Sequence, residues 1–163
     1  IGKPLDGWPG EAWLDVRSSA IRAIMAARLD LAKSKKCDAV EPDNMDGYAN
    51  NNGKNLKYAD QIDYNKWMAA EAHKRGLSVG LKNDVDQLGD LASSFDWALN
   101  EECYSYNECK GYKTHFTDKG KAVFHAEYVS ASQAGKVCAS TKPLGLSTII
   151  KKLDLDAWRV ACP

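Results

Sequence analysis

Apolar and polar positions alternate along this chain in two periods. Ile21, Ile24, Met25, Leu29 and Ala32 recur at helical spacing, with Arg22, Arg28, Lys33 and Lys35 mostly opposite. This predicts a helix that Ser18 or Ser19 caps. Residues 37–40 then read as a short buried strand, and Asn50-Asn51-Asn52-Gly53 as a loop. A second helix follows, capped by Asp60 or Asp63, burying Trp67, Met68 and Ala72, and stopping at Gly76. Strands are expected over residues 77–81, 97–99, 121–128 and 148–150. A short helix is expected over 85–93, and a turn or short helix over 153–160.

Short strands alternating with helices predict an α/β fold with a parallel sheet. The chain has 163 residues, enough for one domain with a real core. A closed (β/α)8 barrel takes roughly 200 to 250 residues, and about five strands are visible here. The expected architecture is therefore the C-terminal portion of a (β/α)8 TIM barrel, spanning residues 1–163, with about the first three strands absent. An exposed sheet edge or an exposed apolar face should result. The opening Ile1-Gly2-Lys3-Pro4 suggests a start inside a longer precursor. No Gly-x-Gly-x-x-Gly and no P-loop motif occurs, so dinucleotide and P-loop readings have no support.

Four predicted strands end in polar clusters: Glu41/Asp43/Asp46, Lys82/Asn83/Asp84, Asn100/Glu101 and Glu127. In a barrel these converge on the C-terminal face, where such folds keep their chemistry. Paired carboxylates there are the equipment of a glycosidase. Asp43 and Glu101 each follow an apolar run directly, where an unpaired carboxylate is costly to desolvate. Glu102 is expected to point away from Glu101. His73 and His125 read as structural. Asp43-Asn44-Met45-Asp46-Gly47 does not fit a calcium loop, because Pro42 falls at the first ligand position. No metal or cofactor is expected.

Charge narrows the partners. Lys plus Arg number 22 and Asp plus Glu number 22, so the formal net charge is zero. That gives no global argument for nucleic acid or a membrane surface, and no apolar run is long enough to span a bilayer. Of the five cysteines, Cys103 and Cys109 bracket a short loop, and Cys138 and Cys162 flank the last segment. These four could form two local disulfides, which implies an oxidising context. Cys37 is left over and is expected to be a buried free thiol.

Four stretches, Trp8-Pro9-Gly10-Glu11-Ala12-Trp13-Leu14-Asp15-Val16-Arg17-Ser18, Cys37-Asp38-Ala39-Val40-Glu41-Pro42-Asp43-Asn44-Met45-Asp46-Gly47-Tyr48, Gly76-Leu77-Ser78-Val79-Gly80-Leu81-Lys82-Asn83-Asp84 and Phe95-Asp96-Trp97-Ala98-Leu99-Asn100-Glu101-Glu102-Cys103, carry a family likeness. They resemble glycoside hydrolase family 114, the endo-α-1,4-polygalactosaminidases, and residues 121–128 continue the match. The resemblance implies a (β/α)8 barrel, secretion, and hydrolysis of a galactosamine-containing polysaccharide. It implies Asp43 as nucleophile and Glu101 as acid/base of a retaining mechanism, with carboxyls about 5–5.5 Å apart. Glu41, Asp46, Tyr48, Lys82, Asn83, Asp84 and Glu127 are the expected substrate-binding residues. With secretion, the pairings Cys103–Cys109 and Cys138–Cys162 are expected. A glycosidase for another α-linked sugar, and a carbohydrate-binding protein or fragment without activity, are the alternatives. The missing N-terminal barrel segment is needed for a complete fold.

Overall fold

A computed structural model describes all residues, Ile1–Pro163, as two compact units, Ile1–Val79 and Gly80–Pro163. The first holds helix α1 (Ser19–Ser34), strand β1 (Ala39–Val40), helix α2 (Tyr58–Lys74) and the start of strand β2 (Ser78–Lys82). The second holds the rest of β2, helix α3 (Leu88–Leu91), strand β3 (Trp97–Glu101), helix α4 (Lys110–His115), strand β4 (Val123–Glu127), helix α5 (Ala134–Thr141), strand β5 (Ser147–Ile150) and strand β6 (Val160–Ala161). Strands β1 to β5 pair in parallel and in sequence order. β6 pairs antiparallel with β5. β1 and β6 each have one strand partner, so these residues close no barrel, as their number led us to expect.

In the first unit, α2 buries a stripe of Gln61, Tyr64, Asn65, Met68, Ala69 and Ala72. The spacing is helical, but two amides stand in the stripe. Trp67, expected in the core, is half-buried beneath Arg22, whose guanidinium carbon lies 5.2 Å from its ring centre. Asp60 caps α2 from inside the first turn, its Oδ2 accepting the Lys57 N–H at 2.9 Å. Ser18 stands at the N-cap of α1 but makes no side-chain cap bond.

One device repeats at the helix-to-strand turns. After α1, α2, α4 and α5 the chain passes through a left-handed residue: Lys36, Gly76, Gly120 and Gly145. At each, paired N–H bonds reach back to the end of the helical segment. Gly76 and Leu77, for example, donate to His73 O at 2.9 Å and Ala72 O at 3.1 Å. This is the Schellman termination, which favours glycine because a Cβ costs energy at positive φ. Lys36 is the exception, at φ 61°. It leads into Cys37, which is exposed rather than buried. The expectation fails because Cys37 leaves this turn towards an edge strand that has one partner and only two residues, exposed Ala39 and half-buried Val40.

In the second unit the parallel registers sort residues onto two faces. Leu81, Ala98, Asn100, Val123, His125, Glu127, Thr148 and Ile150 share one face, and all are buried. Tyr112 of α4 and Val137 and Thr141 of α5 cover it. The other face carries Gly80, Trp97, Leu99, Phe124, Ala126 and Ile149. It stays partly open: Phe124, in mid-strand, is 46% exposed and meets Trp97 edge-on with ring centres 5.6 Å apart. This is the exposed apolar face that the incomplete strand count predicts. Gly80 lies under Trp97, and a Cβ there would come within 2.4 Å of the indole. The short helix expected over 85–93 forms as α3 between 3-10 turns. The segment expected as a turn or short helix over 153–160 instead turns at Leu153 and Asp154 and ends in β6.

Both expected disulfides are present, Cys103–Cys109 and Cys138–Cys162, with Cα atoms 4.9 and 5.2 Å apart. The second staples β6 to α5. Replacing both Cys138 and Cys162 by Ala should lower stability by about 3 kcal/mol, the chain-entropy value for a loop of this length, in denaturant titration. Conversely, Lys36→Gly should raise stability by about 1 kcal/mol, by removing side-chain strain at a left-handed position. A loss of stability in that variant would show that the lysine side chain holds the turn.

Candidate active site

The chemistry-bearing side chains fall into two groups, one in each unit. In the first unit β1 runs straight into Glu41-Pro42-Asp43-Asn44-Met45-Asp46-Gly47-Tyr48. Asp43 accepts the Asn44 N–H on Oδ1 at 2.8 Å, and Asn44 takes φ 53°. The amides in α2 explain how this loop is held. Gln61 donates to Asn65 Oδ1 at 2.7 Å, and Asn65 donates to Met45 O at 2.9 Å. Met45 is thereby pinned in the core. Glu41 and Asp43 are exposed. The desolvation cost expected for Asp43 is therefore not incurred. A cavity of about 390 Å³ opens here, lined by Glu41, Asp43, Asn44, Arg28, Tyr64 and Leu14 among others. Tyr48 packs edge-on against Tyr58, ring centres 5.3 Å apart. Asp46 sits inside the loop, and burial pushes its carboxyl above the usual aspartate range, with the Asp43 charge adding to the effect.

In the second unit the centre is Glu101, the last residue of β3. Lys82 Nζ lies 3.2 Å from Oε2, and the Tyr128 hydroxyl donates to Oε1. Lys82, expected as a substrate-binding residue, makes its ion pair in this unit with Glu101. The Glu101 main chain is held too. Asn83 Oδ1 accepts the Glu101 N–H at 2.9 Å and an Asn100 amide N–H at 3.2 Å. Asn100 also donates to Tyr112 Oη at 3.0 Å and accepts the Cys103 N–H at 2.8 Å. Asn83, Asp84 and Glu102 all take positive φ. Left-handed non-glycine residues thus follow the ends of β1, β2 and β3. Such strain persists where surrounding contacts over-determine the backbone, and it collects at functional loops.

Two expected substrate-binding residues, Asp84 and Glu127, are buried, at 3% and 0% exposure. Glu127 is engaged by donors on both oxygens, and His125 beside it lies in the core, as the sequence suggested. Cys103, Cys109 and His125 bring possible ligand atoms within 4.8 Å of one another. Both sulfurs are bonded to each other, so the group offers no thiolate. Sequence reasoning missed Tyr128 and Tyr112 as parts of the site. Tyr128 was readable from strand alternation, because it follows Glu127 and must face the opposite way.

A family model, glycoside-hydrolase family GH114, matches residues 1–163. The chain belongs to this glycoside hydrolase family. The crystal structure of Aspergillus fumigatus Ega3 in complex with galactosamine matches at 42% identity and TM-score 0.93, covering 99% of this chain and 68% of that one. The glycoside hydrolase domain of PelA from Pseudomonas aeruginosa matches at 13% identity and TM-score 0.66, covering 98% of this chain and 72% of that one. The second likeness concerns the fold alone. A comparison with curated proteins finds no match. The chain is thus a glycosidase-family protein whose α/β fold corresponds to part of a TIM barrel.

Asp46 provides a test of the acidic loop. Its carboxyl is raised, so the ionised form is the disfavoured one in the folded chain. The penalty is fully present above the raised value and absent below the ordinary aspartate value of 3.8. Asp46→Asn should therefore raise the thermal midpoint at pH 7 and give no gain near pH 3. A lower midpoint at pH 7 would show that the ionised carboxylate holds the loop.

Proposed function

We propose that this chain is the larger part of a secreted hydrolase of α-1,4-linked galactosamine polymers. Asp43 is the nucleophile and Glu101 the acid/base of a retaining double displacement. The observation that carries the reading is the setting of Glu101. Its carboxylate ends a parallel strand, lies on the open side of the sheet, and is oriented by Lys82 and Tyr128. Family membership and the likeness to Ega3, a protein crystallised with galactosamine, support the substrate class. Two disulfides fit an oxidising destination.

The chemistry follows from the carboxylates. Asp43 is exposed at a strand end and attacks the anomeric carbon as an anion. Glu101 gives its proton to the leaving oxygen and then removes one from water in the second step. Lys82 and Tyr128 hold the Glu101 carboxyl by one oxygen each. Galactosamine is cationic when unacetylated, so the acids Glu41 and Asp46, with Asp43, attract it. Tyr48 offers an aromatic face beside them, and Asn83 supports Glu101 from below.

In the complete enzyme, Asp43→Asn should abolish release of reducing ends from galactosamine polymer, because an amide is no nucleophile. Glu101→Gln should cost about 10²–10⁴-fold in rate, most for leaving groups that need protonation. Both variants should fold and bind polymer. Near-normal hydrolysis by either one refutes the roles. Polymer binding with no release of reducing ends by the unmutated enzyme would make the protein a binder. Cleavage of α-galactosides in preference to galactosamine polymer would change the substrate.

A further inference from the structure

Strand alternation places His125 and Glu127 side by side on the buried face of β4. They are 1% and 0% exposed. Glu127 Oε1 accepts the Ser105 hydroxyl at 2.5 Å and the Ser105 N–H at 3.2 Å. Oε2 accepts the Tyr104 N–H at 3.2 Å and lies 2.9 Å from His125 Nε2. Behind the imidazole, Nδ1 lies 3.0 Å from Thr148 Oγ1, which is 2.9 Å from Thr141 Oγ1 on α5. The carboxylate therefore reaches across to the loop that follows Glu101. It takes two successive main-chain N–H groups that have no main-chain acceptor of their own. A carboxylate so enclosed has no lone pair left for a sugar.

Glu127 also fixes a second part. With Glu127 anchored on the buried face, Tyr128 must turn to the opposite face, and there its hydroxyl donates to Glu101 Oε1. One buried side chain thus sets both the loop behind Glu101 and a hydrogen-bond partner in front of it.

We propose that Glu127, backed by His125 and Thr148, is a positioning residue that holds Glu101 and Tyr128 in register and makes no contact with substrate. Its kinetic consequence rests on the reading of Glu101 as acid/base, whereas its structural consequence does not. Small displacements of a catalytic group are expensive: a shift of about 1 Å can cost about 10²-fold.

The test is Glu127→Gln in the complete chain, which keeps shape but turns an acceptor into a donor that faces N–H groups. Amide hydrogen exchange at Tyr104 and Ser105 should speed up by about tenfold or more, with β4 and β5 amides unchanged. On soluble galactosamine oligomers, kcat should fall about 10- to 100-fold while KM stays within about twofold. Glu101→Gln is the contrast, losing kcat with Tyr104 and Ser105 exchange unchanged. Unchanged exchange in Glu127→Gln overturns the proposal, and so does a raised KM with kcat preserved, which would put Glu127 at the sugar. If Glu127→Gln fails to fold, Ser105→Ala removes one donor from an exposed residue. It should speed exchange at Tyr104 about threefold, and no change there overturns the proposal equally. Should the unmutated protein prove inactive, the exchange result still decides.

Discussion

A carboxylate sealed beneath a sheet is the constraint on which the second unit depends. Glu127 has no exposed surface, and its two oxygens are met by Tyr104, Ser105 and His125. A buried charge without partners would cost several kcal/mol, so the loop has little freedom to leave. Burial pushes the Glu127 carboxyl up, but the hydrogen bonds from His125 and Ser105 outweigh it and hold the group below the usual glutamate range. Its contribution to stability is therefore present at neutral pH and is lost as pH falls through its depressed value. The Cys103–Cys109 bond closes the same loop covalently. Asn83 and Asn100 hold it from the β2 side. Glu101 thus stands on a backbone fixed from three directions, as its proposed acid/base role requires.

The first unit solves the same problem with neutral groups. Gln61 and Asn65 occupy core positions of α2 where a purely apolar stripe would pack more cheaply. Gln61 holds Asn65, whose amide reaches Met45 O and fixes the loop from inside, with Glu41 and Asp43 on the surface. In both units buried polar groups serve the backbone of an acidic loop. Left-handed Asn44, Asn83, Asp84 and Glu102 are the strain that goes with this arrangement.

Much of this was legible in the sequence. Parallel strands ending in acids followed from short apolar runs alternating with helical spacing. The disulfides followed from local cysteine spacing and the family resemblance. The open apolar face followed from counting strands. What was not legible has physical causes. Cys37 looked like a core thiol because the sequence does not say that its strand is two residues long and at an edge. The burial of Glu127 was not foreseen because acids at strand ends usually face the cleft; its partner His125, two residues earlier, marks the other face. β6 was missed because two residues carry no period. The Lys82–Glu101 pair was not legible because it needs the register, which sets Lys82 two strand positions from Glu101 on a shared face.

Glu127 serves the loop as an ionised acceptor. The most direct measurement is a carbon-13 NMR titration of the glutamate carboxyls, with the Tyr104 and Ser105 amide shifts followed in the same samples. The expected result is a Glu127 midpoint below the ordinary value of 4.5, with both amides moving at that same midpoint. A midpoint above it, or amide shifts indifferent to Glu127 protonation, would contradict the account.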